Sequence, residues 1–231
     1  MTNGTEGYGE GIGRRILKVF WLVDASGSMG GPKIATLNQA IRDCIPEMVD
    51  INDENPEVEM RVNVIEFESS AKWIHRDVKI QDFKWTDIGV KGYTATGAAL
   101  DLAMQELTVE KMGKRGLPPL MILMSDGGAT DDYEKSLNKL LADKWGKRAV
   151  RIPIAIGDDC DEESLVKFQN PKEGELLKAR NAKDLTKLIK WASVTVSNTL
   201  SQSGDGGQLP PPPATNQVTL GGTDSDDDGT F

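Results

Sequence analysis

The stretch Ile16-Leu-Lys-Val-Phe-Trp-Leu-Val-Asp24-Ala-Ser26-Gly-Ser28 decides how the rest of the chain is read. Ile16–Val23 is a short, nearly unbroken apolar run, which fits a strand buried on both faces of a parallel sheet. It breaks at Asp24 into small polar residues. Ile34, Leu37, Ile41, Cys44, Ile45 and Met48 then recur at helical spacing. A buried strand, a polar loop and an amphipathic helix form the opening unit of an α/β fold.

The same alternation continues downstream. Val58, Met60, Val62 and Val64 alternate as a strand does. Glu66–Ser70 reads as a turn into a second strand around Ala71–Ile74, which predicts a hairpin. Leu100, Ala103, Met104 and Leu107 mark a helix, Leu120–Met124 a buried strand, and Leu137, Leu140 and Leu141 another helix. Val150, Ile152, Ile154 and Ile156 give a strand, and Leu185, Leu188, Ile189, Ala192 and Val196 a last helix. The fold class expected is α/β: a Rossmann-like, mostly parallel sheet with one antiparallel edge strand and helices on both faces.

The ends differ from this middle. Residues 1–13 hold five glycines and little that could pack, which reads as a flexible leader. Residues 201–231 hold six glycines, the run Pro210–Pro213, five Asp and no Lys or Arg, which reads as a disordered tail. The domain is therefore placed at residues 14–200. The net charge of the 231 residues is −9, and the tail's five acids leave −4 on the remainder. That balance argues against nucleic acid as a partner. No apolar run is long enough for a membrane span. The first fifteen residues lack the apolar core of a signal peptide, and two cysteines make no disulfide framework, so the expected location is cytoplasmic.

In open α/β sheets, function gathers at the carboxyl ends of the strands. Three polar segments fall at or near such ends: Asp24–Ser28, Gly92–Gly97 and Ser125–Gly127. They offer hydroxyls and carboxylates, while no Cys joins them and the single His, His75, belongs to the hairpin. An oxygen-only set suits one Mg²⁺, Mn²⁺ or Ca²⁺ ion and argues against Zn²⁺ or Cu²⁺. The spacing of Asp24, Ser26 and Ser28 lets a tight loop turn three side chains toward one point. Enzymatic readings lack their parts. Neither serine sits in a Gly-x-Ser-x-Gly elbow, and the chain has no phosphate-binding Gly-x4-Gly-Lys-Ser/Thr loop. Ser26 stands where a phosphoaspartyl phosphatase needs its second acid. The chain is expected not to be an enzyme.

Asp24-x-Ser26-x-Ser28, Thr94 and Asp126, in that order and placement, resemble the metal-ion-dependent adhesion site of von Willebrand factor type A domains. The resemblance implies Ser26, Ser28 and Thr94 as direct ligands, and Asp24 and Asp126 as the acids that balance the charge. It also implies a protein partner offering an acidic side chain to the metal. A narrower resemblance rests on Asp126-Gly-Gly-Ala-Thr-Asp-Asp-Tyr133, Lys144-Trp145, Ile154-Ala-Ile-Gly-Asp-Asp159 and Trp191-Ala-Ser-Val-Thr-Val-Ser197, which look like the TerY-type bacterial branch. That branch implies a scaffold acting with a protein kinase and a PP2C-type phosphatase in stress response or tellurite resistance.

Other residues have plainer readings. Asp131, Asp132, Asp158 and Asp159 could rim the site, but such acids more often cap helices or face solvent. Cys44 falls on an apolar stripe and reads as core. Trp73 and His75 read as edge-strand packing. Thr223 and Ser225, set among acids, are candidate phosphorylation sites. They carry an alternative function, a phosphorylation substrate whose tail is the signalling output.

Overall fold

Strand β1 (Arg15–Asp24) is buried from Leu17 to its end, as its apolar run requires. Alternate side chains serve opposite faces. Leu17, Val19, Trp21 and Val23 enter one core cluster, and Phe20 and Leu22 enter the other. The coordinates are a computed structural model describing residues 13–158, 160–170, 176–203 and 208–215. Asp159, Thr223, Ser225 and residues 1–12 of the leader lie outside the described residues.

Helix α1 (Pro32–Glu54) follows β1 and leads to β2 (Val58–Phe67), which lies parallel to β1. Strand β3 (Ala71–Lys79) returns antiparallel to β2. The expected hairpin is therefore present with different bounds. Glu66 and Phe67 belong to β2, paired with Lys72 and Ala71, so the turn is only Glu68–Ser70. Phe67 is held in the strand by its burial and by its pairing with Asp24. The strand also runs five residues past the expected Ile74, with register shifts around Val64. Asp77 near its end has a left-handed φ of 54°, rare outside glycine.

Next come α2 (Thr96–Met104), the short α3 (Val109–Met112) and β4 (Leu120–Ser125). Leu107, expected on the helix with Leu100, lies beyond α2 yet is buried in the same cluster. Helices α4 (Tyr133–Ala142) and α5 (Lys144–Arg148) precede β5 (Val150–Ile156). Helix α6 (Glu162–Phe168) and the three-residue strand β6 (Leu177–Ala179) had no sequence signal. The expected last helix is α7 (Ala182–Lys190), continued through a π-helical turn, Trp191–Thr195, into α8 (Val196–Ser203). Beyond it, Leu209 packs against the core.

The six strands order as β3-β2-β1-β4-β5-β6, all parallel except β3. Helices α1, α7 and α8 contribute to one core cluster, and α2, α4 and α6 to the other. Cys44 lies in the first, where burial pushes its thiol up to about 12. Among the described residues, no helix is long and apolar enough to cross a membrane.

Parallel pairing fixes where the loops go. Val23 pairs with Met124, so β1 and β4, at the centre of the sheet, end side by side. The loops after Asp24 and Ser125 therefore emerge next to each other at one pole.

Candidate functional site

Asp24 is fully buried at the end of β1. One carboxylate oxygen accepts a 2.8 Å hydrogen bond from the Ser26 backbone N–H, which closes the loop tightly. The other accepts from the Ser125 hydroxyl at the end of β4. Burial pushes the Asp24 carboxyl above its ordinary range. The hydrogen bonds from Ser125 and Ser26 oppose that shift, and the nearby Asp126 charge adds to it.

From Asp24 the loop carries Ser26 and Ser28 on one side. Their hydroxyls are 3.0 Å apart, and the Ser28 hydroxyl donates to Asp126 Oδ1 at 2.7 Å. Ser26 is buried and Ser28 is exposed, so the line of oxygens runs from the sheet end out to solvent. Asp126 is only 5 % exposed, and its second oxygen meets the Lys33 ammonium at 2.6 Å.

Thr94 arrives from the other side. The Gly27 N–H donates to the Gly92 carbonyl at 3.2 Å, and the Lys91 N–H to the Ala25 carbonyl at 2.8 Å, so the two loops are stitched together. A Cβ on Gly127 would lie 3.5 Å from Thr94 Oγ1, which places this buried hydroxyl against the Asp126 turn. Thr96, by contrast, is the first residue of α2 and lines a small cavity behind the Ser125–Gly127 turn, with Tyr133 and Leu165. The five residues expected from the sequence therefore meet at one pole.

Four further residues build the site besides the five expected there, and of these Lys33 and Thr130 were not singled out in the sequence. Ser125 holds Asp24, and Lys33 holds Asp126. Thr130 brackets Thr94, its N–H donating to the Thr94 carbonyl at 2.8 Å and its hydroxyl accepting from the Thr94 N–H at 3.3 Å. Asp131 accepts from the N–H groups of Gly97 and Ala98, at 2.9 and 2.8 Å, and so caps α2 from a distance. Of the acids that could rim the site, Asp131 is thus a helix cap, the plainer of the two readings, and Asp158 pairs with Arg180 at 3.4 Å. His75 lies on β3, its ring edge-on to Phe83 at 4.8 Å between centroids. Tyr93, beside Thr94, is 72 % exposed.

The donor set is hydroxyls and two carboxylates. Among the described residues, no three His, Cys, Asp or Glu side chains cluster as a metal site. Two buried carboxylates, Asp24 and Asp126, and a row of converging hydroxyls fit a hard divalent cation.

Comparison with known proteins agrees with this architecture. Among solved structures, the ArnB paralog VWA2 from Sulfolobus acidocaldarius superposes with a TM-score of 0.57 at 18% identity, covering 77% of this chain and 45% of that one. A von Willebrand factor type A protein from Catenulispora acidiphila gives 0.55 at 14% identity, covering 79% and 42%. Proximal thread matrix protein 1 from the mussel byssus, in a form with a zinc-occupied MIDAS motif, gives 0.56 at 18% identity, covering 80% and 48%. This chain thus spans less than half the length of each, and at these identities the likeness concerns the fold. No match was found among curated proteins. Residues 19–191 match the family model described as von Willebrand factor type A domain, and the chain belongs to that family.

Proposed function

We propose that this domain is a divalent-cation-dependent protein–protein interaction module. The carrying observation is the series of hydrogen bonds that runs from Asp24 through the Ser26 N–H, and from the Ser26 hydroxyl through the Ser28 hydroxyl to Asp126. Ser26, Ser28 and Thr94 would hold one ion, with Asp24 and Asp126 supplying charge. The hard oxygen set favours Mg²⁺, with Mn²⁺ or Ca²⁺ as substitutes. The zinc-occupied MIDAS of the mussel byssus protein supports a divalent ion in the corresponding motif here. An ion held by hydroxyls stays electron-poor and attracts a negative oxygen, such as a partner's Asp or Glu. The module acts as an adaptor, without turnover, in the cytoplasm.

The TerY-like stretches, Asp126–Tyr133 foremost, support a place beside a protein kinase and a PP2C-type phosphatase in a bacterial stress or tellurite-resistance system. Thr130 and Asp131 of that stretch brace the Thr94 loop, so these residues serve the site itself. Calorimetry with Mg²⁺ and Mn²⁺ tests the metal reading. The wild-type chain should bind one ion, and Ser26→Ala with Ser28→Ala should abolish binding while the fold survives. Retained affinity in that double variant would refute it.

A further inference from the structure

Lys33, the second residue of α1, does not reach out into water. Its side chain is 18% exposed, and its ammonium lies 2.6 Å from Asp126 Oδ2. The stem crosses the end of β5, where Gly157 has a φ of 87°. A Cβ at Gly157 would meet both Cε and Nζ of Lys33 at 3.2 Å. Gly157 thus provides the space in which the ammonium lies. The other oxygen of Asp126 takes the hydrogen bond from Ser28. One carboxylate is therefore shared between a hydroxyl of the metal site and a fixed cation.

We propose that Lys33 is a built-in cation of the site, weakening its hold on the metal and leaving the held metal in need of an acidic partner ligand. The proposal rests on the metal-binding reading above. Asp24 and Asp126 together offer two negative charges, and the ammonium cancels one. A divalent ion then leaves the pole with net positive charge, which a single carboxylate from a partner neutralises. Without Lys33, the two acids alone would balance the ion, and an incoming carboxylate would gain less. Charges this close, with Asp24 and Asp126 buried and Lys33 mostly so, are only weakly screened.

The test uses the full chain and Mn²⁺ alone as the first probe. Lys33→Met and Lys33→Gln remove the charge while keeping much of the stem. Each should bind Mn²⁺ at least tenfold more tightly than wild type, a gain of about 1.4 kcal/mol. Lys33→Arg, which keeps the charge, should stay near wild type. Acetate then serves as a carboxylate probe of the Mn²⁺-loaded protein, followed by water-proton relaxation. It should displace Mn²⁺-bound water at lower concentration in wild type than in Lys33→Met. Unchanged or weaker Mn²⁺ affinity in both neutral variants overturns the proposal, as does equal acetate sensitivity. Binding that persists in the Ser26→Ala, Ser28→Ala variant overturns the metal reading itself, a distinct failure. Unfolding temperatures in EDTA show which variants are folded, and either neutral variant suffices.

Discussion

At the residue scale, the site depends on side chains that contact no proposed ligand. Asp131 is the clearest, because both its oxygens cap α2 just after Thr94. Asp131→Ala should destabilise the domain by about 1 kcal/mol, the usual cost of a lost cap. It should also weaken Mn²⁺ binding severalfold, since the Thr94 loop loses its anchor. Asp132→Ala should do neither, because Asp132 is exposed and makes no capping bond. Urea denaturation and a Mn²⁺ titration of both variants check this. Asp24, Ser26, Ser28, Thr94 and Asp126 were legible in the sequence because hydroxyls and acids at strand ends form a recognisable pattern. Lys33 was not, because a lysine opening a helix looks solvated until the fold brings it to its partner. Asp131 was read as an acid that could rim the site or cap a helix, and only the fold shows that the helix it caps is α2, far along the chain.

At the scale of elements, buried polar contacts lock secondary structures together. Lys18 on β1 is fully buried, with its ammonium 2.8 Å from Asp77 Oδ1 on β3 and 2.7 Å from Glu106 Oε2 after α2. Glu106 also receives Arg76 and Lys111, each at 2.7 Å. Burial alone would raise its carboxyl, but hydrogen bonds from Lys111, Lys18 and Arg76 outweigh it and hold the group down at about 2. Removing the Glu106 charge would take one of the two anions from the buried Lys18 ammonium, leaving it with the half-exposed Asp77, and would take the partner from Arg76 and Lys111. Glu106→Gln should therefore cost about 3 kcal/mol at neutral pH, with Mn²⁺ affinity unchanged. Because the folded value is depressed from 4.5, this stabilisation is complete above pH 4.5 and lost as pH falls toward 2. Urea melts at several pH values should show the gap between wild type and variant closing in that window.

The π-helical turn is a second lock. Ser193 accepts a 3.0 Å hydrogen bond from the buried Trp21 indole N–H, joining the last helix to the central strand. Ser193→Ala leaves that donor unpaired and should cost about 1–3 kcal/mol in chemical denaturation. Long periodic elements such as β1, α1 and β5 were readable from their apolar spacing. Helix α6 and β6 were not. The strand is only three residues long and the helix only seven, too short for either period to emerge. The turn expected at Glu66 shifted because pairing with neighbouring strands, a long-range effect, kept Glu66 and Phe67 extended.

At the scale of the whole molecule, the ends of the central strands and the loops beside them carry the candidate metal residues, while the helical layers bury the sheet's two faces. Metal binding to the folded form alone should raise its stability. At a free Mn²⁺ concentration of one hundred times Kd the gain should be about 2.7 kcal/mol, read as a shift in the unfolding midpoint. The Ser26→Ala, Ser28→Ala variant should show no such shift. The general architecture was legible early because strands alternating with helices permit few arrangements. The strand order was fixed only by the structure.

The margins of the sheet carry a further consequence. A strand at an edge offers unpaired backbone groups to any neighbour able to add another strand. Here β6 is too short to serve as much of a template. On the other side, β3 is bent by its register shifts and by the left-handed Asp77, and it carries Lys72, Arg76 and Lys79. Both margins thus discourage one sheet from growing onto another. The sheet therefore resists extension into fibres at either end.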